Sequence, residues 1–314
     1  MSQIVLQTHS ISKHYGTTCA VDNVNIVIKK GDIYGLIGRN GAGKTTLIRM
    51  ITALTFASSG ELSLFGQTSA SGLNAARCRM GSVVEIPALY PHLSARQNLE
   101  YYRKLRGIPN KSAVDEALTA VNLMDTDKKK FRNFSLGMKQ RLGLALALLS
   151  NPDFIILDEP TNGLDPMGIV EMREMIKRLR TDRGITFMIS SHILSELSLI
   201  ATRYGIIHDG KMIKELTDAE LREKCQRCLS IKVDDTKKAA VVLETVLNTT
   251  MYKVLSNNEI RLYDYFDNIA EVPLALNTHG VRVSALTEIN DNLEDYFMSL
   301  IEAVTPANGG KKDA

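Results

Sequence analysis

The sequence predicts an α/β core followed by a small α+β domain, and three observations support this prediction. Short apolar strands alternate with amphipathic helices between Asp153 and His208, as in a parallel sheet with helical crossovers. A glycine-rich stretch, Leu36–Leu47, joins an apolar strand to a helix. After Leu229 the pattern restarts in the order β-α-β-β-α-β, which indicates a second, smaller domain.

The first part of the chain combines strands with a helical segment. Residues 1–37 alternate β-rich runs with turns, and the runs are Ile4–Gln7, Val24–Ile28 and Ile33–Ile37. From Ser94 the pattern becomes helical, because Ser94 and Gln97 have capping-box spacing before an amphipathic run. Further amphipathic runs predict helices over 110–123 and 136–149. We therefore expect a helical insert of about residues 86–150 within the α/β core.

The core resumes with the strand Phe154–Leu157, whose continuous hydrophobicity is typical of a buried parallel strand. Helices are then expected over 168–180 and 193–202, and strands over 185–190 and 204–208. Asp209 and Gly210 predict a hairpin turn into another strand. After Leu229 the order of elements resembles a ferredoxin-like α/β sandwich, ending in a helix over 290–304.

Composition bounds the class of protein. The chain has 314 residues, 44% of them apolar and 23% charged, which is ordinary for a globular protein. Residues 1–228 carry 30 basic and 22 acidic side chains, whereas residues 229–314 carry 8 and 13. This shift predicts a boundary near residue 229, with domains at 1–225 and 229–304 and a disordered tail at 305–314. The net positive charge of residues 1–228 suits an anionic ligand. It is smaller than that typical of nucleic-acid-binding domains, so no nucleic-acid partner is expected.

No secretory signal or membrane-spanning stretch is evident, and a cytoplasmic location is expected.

The glycine-rich stretch predicts a site for a nucleoside triphosphate. Its spacing is that of a P-loop, in which backbone N–H groups surround phosphate oxygens and the following helix directs its positive end at them. Lys44 is expected to reach the β- and γ-phosphates, and the Thr45 hydroxyl to bind Mg²⁺. The alternative is an ordinary glycine turn before a helix. The nucleotide-binding residues expected in this stretch are Gly38, Asn40, Gly41, Ala42, Gly43, Lys44, Thr45 and Thr46.

Two carboxylates close the buried strand of the core. Asp158 and Glu159 precede Pro160 at the carboxyl end of the strand, where a P-loop fold places its Mg²⁺ partner. Adjacent side chains at a strand end point to different sides. We therefore expect Asp158 to hold the metal, and Glu159 to face the attacking water as general base.

With these motifs in place, residues 1–225 resemble the ATP-binding subunit of an ABC transporter. The family's signature corresponds to Phe134–Arg141, its D-loop to Gly163–Asp165 and its switch histidine to His192. Tyr15 stands where the family's adenine-stacking aromatic is expected. The resemblance implies a P-loop ATPase core with an antiparallel β subdomain. It also implies a head-to-tail homodimer, in which Ser135 and Gly137 of one copy, together with its Asp165, complete the nucleotide site of the other.

Two departures from the family pattern are informative. The usual Leu-Ser-Gly-Gly-Gln signature is Phe-Ser-Leu-Gly-Met here, so Ser135 and the second glycine remain while the first glycine and the glutamine are lost. At the Q-loop, where the family has a glutamine that touches Mg²⁺, this chain has Glu85. This combination is similar to ATP-binding subunits of bacterial bacitracin-export and lantibiotic-immunity transporters. Glu85 is therefore interpreted as a third residue that binds the metal, in addition to Thr45 and Asp158. The alternative is that Glu85 is a solvated residue at the end of a strand.

The resemblance implies an ATPase that binds ATP and Mg²⁺ and powers export of an antimicrobial peptide or similar amphiphile. A separate permease, contacted by the helical insert, would hold it at the inner face of the cell membrane. The alternatives are a soluble ABC ATPase acting on a nucleoprotein, or a transporter subunit for another substrate. A GTPase is disfavoured because its guanine-reading Asn-Lys-x-Asp motif is missing at Asn110–Ala113.

Overall fold

The computed structural model describes residues 3–85, 89–126, 128–225, 228–255, 257–289 and 293–304. They form two compact units, divided between Asp218 and Ala219. Among the described residues, no helix is both long and apolar enough to cross a bilayer.

Among its described residues the first unit contains nine strands, seven α-helices and two 3₁₀ turns, and an eighth α-helix begins at Asp218. The strands are β1 (Ile4–Tyr15), β2 (Thr18–Lys29), β3 (Ile33–Ile37), β4 (Ser59–Leu64), β5 (Met80–Val83), β6 (Phe154–Asp158), β7 (Thr186–Ser191), β8 (Arg203–His208) and β9 (Lys211–Thr217). The α-helices are α1 (Lys44–Ile51), α2 (Ala70–Arg77), α3 (Ala95–Leu105), α4 (Ala113–Ala120), α5 (Leu136–Leu148), α6 (Pro166–Arg183), α7 (Leu194–Leu197) and α8 (Asp218–Lys224), the last of which crosses into the second unit. Short 3₁₀ turns at Met124–Thr126 and Phe131–Asn133 complete the helical insert.

A six-stranded sheet in the order β5-β6-β7-β3-β8-β9 forms the centre of this unit. The first five strands are parallel and β9 is antiparallel, joined to β8 by the predicted Asp209-Gly210 turn. Every residue of β3, β6 and β7 is buried, as expected for strands covered on both faces. The carboxyl ends of β3, β5, β6 and β7 therefore lie at one edge, followed by the P-loop, Glu85, Glu159 and His192 respectively. This edge assembles the candidate site.

A second sheet in the order β2-β1-β4 is antiparallel and confirms the predicted β subdomain. Its strands β1 and β2 are twelve residues long, whereas the sequence predicted only Ile4–Gln7 and Val24–Ile28. Polar residues such as His9 and Ser10 interrupt the apolar pattern of β1, so the sequence does not show that the strand is continuous. Pairing with both β2 and β4 keeps it extended through these residues. Apolar side chains of this sheet share one core with α1 and β6.

The helical insert shows how local hydrogen bonds set helix ends. The Ser94–Gln97 capping box begins α3 as predicted, and buried Asn98 bonds both the N–H and the carbonyl of Tyr90. Helix α4 begins at Ala113 rather than at residue 110, because the Asn110 side chain accepts hydrogen bonds from the backbone and hydroxyl of Ser112. At the end of α3, Arg103 holds the pKa of the Glu100 carboxyl at about 2 by a charge-assisted hydrogen bond.

Two other helices differ from the prediction. Helix α2 was not predicted and begins at the Ser69 cap, whose side chain accepts from the Gly72 N–H. Helix α7 is a single turn rather than residues 193–202. The Thr202 N–H donates to the Ile33 carbonyl, and the Thr202 hydroxyl accepts from the Ile33 N–H. These bonds hold Thr202 at the start of β3, so the helix ends early.

The second unit, Ala219–Ala303, has the predicted β-α-β-β-α-β order followed by a helix. Its antiparallel sheet has the order β11-β12-β10-β13, which is that of a ferredoxin-like sandwich. Leu229, Leu243, Leu262 and Leu276 lie in one buried core between the sheet and two helices. The predicted disordered tail, 305–314, lies outside the described residues. The elements are β10 (Cys228–Val233), α9 (Thr236–Thr245), β11 (Tyr252–Val254), β12 (Glu259–Leu262), α10 (Glu271–Thr278), β13 (Val283–Ile289) and α11 (Leu293–Val304).

Candidate nucleotide-binding and catalytic site

Glycines shape the loop between β3 and α1. Gly43 has φ of 105°, and a Cβ there would lie 2.6 Å from the Ala20 carbonyl oxygen. A Cβ on Gly38 would lie 2.5 Å from the Ile207 carbonyl oxygen. Both positions therefore exclude a side chain, which lets the backbone of the loop approach an anion closely.

The remaining loop residues complete this wall. Asn40 and Gly41 are exposed at the tip of the loop, and Gly41 has φ of 83°. Ala42 is buried and its N–H donates to the Arg39 carbonyl at 3.1 Å. Thr46 is half-buried in the first turn of α1.

Lys44 is buried beneath the loop, with 5% of its side chain exposed. Its Nζ donates to the Gly38 carbonyl at 2.7 Å and to the Arg39 carbonyl at 3.3 Å. It also forms an ion pair with Glu159 Oε1 at 3.1 Å. The ammonium group is thus held by the loop that would surround a phosphate and by the predicted general base.

Asp158 joins three elements of the site. Its Oδ2 accepts a hydrogen bond from the Thr45 hydroxyl at 2.9 Å, and its Oδ1 accepts from the Ser190 hydroxyl at 2.6 Å. The Ser190 oxygen in turn accepts from the Glu159 N–H at 2.8 Å. Ser190 is fully buried and fixes both the Asp158 carboxylate and the backbone of Glu159.

The Thr45 hydroxyl and the Asp158 carboxylate are oxygen donors that fit Mg²⁺, which typically takes one or two protein ligands and completes its shell with phosphate oxygens and water. In the described part of the chain, no group of three or more His, Cys, Asp or Glu side chains could hold a metal by itself. The Thr45 and Asp158 oxygens therefore fit a metal whose other ligands are phosphate oxygens and water.

Glu159 turns away from Asp158, as expected for adjacent residues at a strand end. Its φ of 48° directs the carboxylate to Lys44 on one side and to His192 on the other, where Oε2 lies 2.6 Å from Nδ1. The histidine side chain is 35% exposed, so the far ring nitrogen can face a ligand. The structure thus brings Lys44, Glu159 and His192 into one chain of contacts.

Glu85 lies at the end of β5 with φ of 61°. Its Oε1 accepts a hydrogen bond from Arg49 on α1. The other two predicted metal ligands, Thr45 and Asp158, are instead hydrogen-bonded to each other. Arg49 was not predicted as a site residue, because the contact joins two segments 36 residues apart. The available signal was its position four residues after Thr45, on the same face of the helix.

Ser135, Gly137 and Asp165 lie together in a different place. Ser135 caps α5 and its Oγ accepts from the Met138 N–H, while Asp165 caps α6 and accepts from the Gly168 N–H. A shallow groove of about 330 Å³ is lined by both caps and by Gly137. No P-loop residue lines this groove, so within one chain the structure keeps the predicted signature contacts apart from the phosphate loop.

Tyr15 ends β1 next to the turn at Gly16 and is 47% exposed. The Lys13 ammonium lies 5.0 Å from the centroid of its ring. One side of the ring is therefore occupied by a cation, and the exposed part is accessible to a planar ligand.

Replacing Ser190 by alanine is expected to lower the rate of the predicted ATP hydrolysis roughly tenfold or more, because mutation of a residue that positions a metal ligand typically has an effect of this size. It leaves a carboxylate oxygen and the Glu159 N–H without their partner, so unfolding should also become easier by about 1–3 kcal/mol. Steady-state phosphate release and thermal unfolding measure both effects. Ser191→Ala is the matched control, because buried Ser191 accepts from the Ile193 N–H instead. Equal activity of the two variants would contradict the role of Ser190.

Comparisons with known proteins identify the family of this chain. A family model described as ABC transporter matches residues 21–162. The bacitracin transport ATP-binding protein BcrA of Bacillus licheniformis is 43% identical over 297 residues, covering 95% of this chain and 97% of that protein. The lantibiotic transport ATP-binding protein SrtF of Streptococcus pyogenes is 43% identical over 212 residues, covering 67% and 90%.

A solved dimeric ATP-binding cassette, in a post-hydrolysis state bound to ADP and Pi, is also similar. It superposes with a TM-score of 0.61 at 26% identity, covering 68% of this chain and 98% of that one. The glycine loop, the Asp158–Glu159 strand end and these similarities together show that this chain belongs to the ATP-binding proteins of ABC transporters and is an ATPase.

Proposed function

We propose that this chain powers the export of a peptide antibiotic through a separate membrane permease. The observation that carries the proposal is its similarity to the bacitracin transport protein at 43% identity, along 95% of this chain. That similarity includes the second unit as well as the ATP-binding core. The lantibiotic transport protein supports the same class of cargo over a shorter stretch.

In the proposed cycle the residues around the phosphate loop exchange partners. Lys44 releases the loop carbonyls and Glu159 for β- and γ-phosphate oxygens. Thr45 and Asp158 would hold Mg²⁺, which when bound would neutralise part of the phosphate charge. Glu159, released by Lys44 and oriented by His192, accepts a proton from the attacking water.

We further propose that two copies form a head-to-tail dimer around two ATP molecules. The separation of the signature groove from the phosphate loop within one chain supports this arrangement, since each is then half of a site. Ser135 and Gly137 of the second copy would meet the γ-phosphate at the N-terminus of α5, with Asp165 beside them. Tyr15 would stack on adenine.

The helical insert, α3 to α5, is proposed to contact the permease and to hold the chain at the inner face of the membrane. The insert follows β5 and precedes β6 in the chain, so a structural change at Glu85 or Asp158 can be passed directly to it. Closure of the dimer would then be transmitted to the permease as movement.

Expression of the chain in a bacitracin-sensitive bacterium, with and without any membrane-spanning permease that is encoded beside it, tests the proposal. We expect a raised minimal inhibitory concentration for bacitracin only when both components are present. The Glu159→Gln variant with the same permease serves as the inactive control. Protection by the variant, or by the chain without a permease, would contradict ATP-driven export. Protection only against a chemically unrelated compound would contradict the cargo class.

A further inference from the structure

An ion pair links the helix of the phosphate loop to the end of β5. Arg49 Nη2 donates to Glu85 Oε1, and the two side chains are 40% and 59% exposed. Arg49 lies four residues after Thr45, so both project from the same face of α1. Glu85 has a left-handed backbone, uncommon outside glycine, asparagine and aspartate, which directs its side chain to this helix.

The charges at this edge of the sheet explain why the pair matters. The carboxylates are Glu85, Asp158 and Glu159, and Lys44 is already paired with Glu159. Thr45 and Ser190 supply only neutral hydrogen bonds to Asp158. Without a cation of its own, Glu85 would add an unbalanced negative charge beside a bound triphosphate, and Arg49 supplies that cation.

A purely structural role for Arg49 must be weighed. Arg49 occupies the last turn of α1, where any cation favours the helix C-terminus. Its carbonyl accepts from the N–H groups of Leu54 and Thr55, but these bonds do not depend on the side chain. An exposed ion pair contributes little to folding stability. A contribution to folding stability therefore does not explain why Arg49 forms an ion pair with Glu85.

We propose that Arg49 is the counter-charge that holds Glu85 and releases it when Mg·ATP binds. Arg49 and Mg²⁺ compete for one carboxylate. Before the metal arrives, Arg49 shields the triphosphate from Glu85. When Mg²⁺ is bound at Thr45 and Asp158, Glu85 exchanges the guanidinium for the metal or for its water ligands. This inference rests on the proposed nucleotide site but not on the cargo or the permease.

The exchange has a distinctive consequence for binding. Without Arg49, Glu85 repels ATP when Mg²⁺ is absent but is freely available when Mg²⁺ is present. Arg49→Gln should therefore raise the ratio of the Kd in EDTA to the Kd in Mg²⁺ by roughly three- to tenfold, the size expected of one screened unit charge. Loss of the Arg49 charge by itself also raises this ratio somewhat, because free ATP carries more negative charge than Mg·ATP, and the same change made in the Glu85→Gln background measures that contribution.

The test measures binding of the non-hydrolysable analogue β,γ-imido-ATP to the full chain by calorimetry, in EDTA and in Mg²⁺. Arg49→Lys should keep the wild-type ratio, because it retains the charge. Arg49→Gln should raise the ratio by a clearly smaller factor in the Glu85→Gln background than in the wild type, and the difference between the two factors is the part due to Glu85. Arg79→Gln is the matched control, since it removes a similar exposed pair with Asp153 beside the opposite end of β5.

Three outcomes would overturn the inference. They are an equal change of both dissociation constants in Arg49→Gln, a ratio that rises as much in the Glu85→Gln background as in the wild type, and a raised ratio in Arg79→Gln. Failure of the wild-type chain to bind the analogue at all would instead contradict the nucleotide site itself. Thermal unfolding of each variant confirms that folded proteins are compared.

Discussion

Replacing Glu159 by glutamine is expected to lower the ATPase rate by a factor of about 10² to 10⁴ while ATP binding is retained. The amide can still contact His192, but it cannot accept a proton from water. It also removes the carboxylate that holds Lys44 at 3.1 Å, so the lysine becomes more available to phosphate oxygens. ATP should therefore bind at least as tightly as in the wild type, and the proposed dimer should persist in ATP.

Phosphate release at saturating Mg·ATP measures the first effect, and light scattering coupled to size exclusion, with and without ATP, measures the second. Glu174→Gln is a suitable control, because Glu174 is an exposed carboxylate on α6 whose ion pairs, among the residues that the structure describes, are to Arg173 and Lys177 of its own helix. A Glu159→Gln variant with near wild-type turnover would exclude Glu159 as the base. A monomer both with and without ATP would argue against the proposed dimer.

Replacing Lys44 by alanine is expected to lower kcat/KM for ATP by a factor of about 10² or more, the size seen when a charge-stabilising donor is removed from an active site. Lys44 is the buried cation of the phosphate loop. Its loss also leaves the Glu159 carboxylate facing the phosphates without a counter-charge. Affinity and turnover should therefore both fall, in contrast to the Glu159 variant.

Equilibrium titration with ATP, together with steady-state hydrolysis, separates the two contributions. Lys177→Ala, which removes an exposed lysine of α6, controls for a general loss of positive charge. Unchanged affinity for ATP in Lys44→Ala would contradict the assignment of the phosphate site.

The main elements were predictable because their patterns are local. Strands β3 and β6 are continuous apolar runs, and the Ser94–Gln97 capping box is complete within four residues. The family resemblance added the order of the motifs along the chain. Helices α4 and α7 were predicted too long, since hydrogen bonds at Asn110 and between Thr202 and Ile33 end them, and amphipathic periodicity does not register such bonds.

By itself the sequence determined the phosphate loop, the carboxylates at the end of β6 and the two-domain order of elements, because each depends on neighbours in the chain. Only the tertiary structure placed Ser190 on Asp158, Lys44 on Glu159 and Arg49 on Glu85. These contacts depend on which strands are adjacent in the sheet and on how α1 lies over its edge. Lys44 and Glu159, which meet there, are 115 residues apart in the chain, and no local pattern encodes that adjacency.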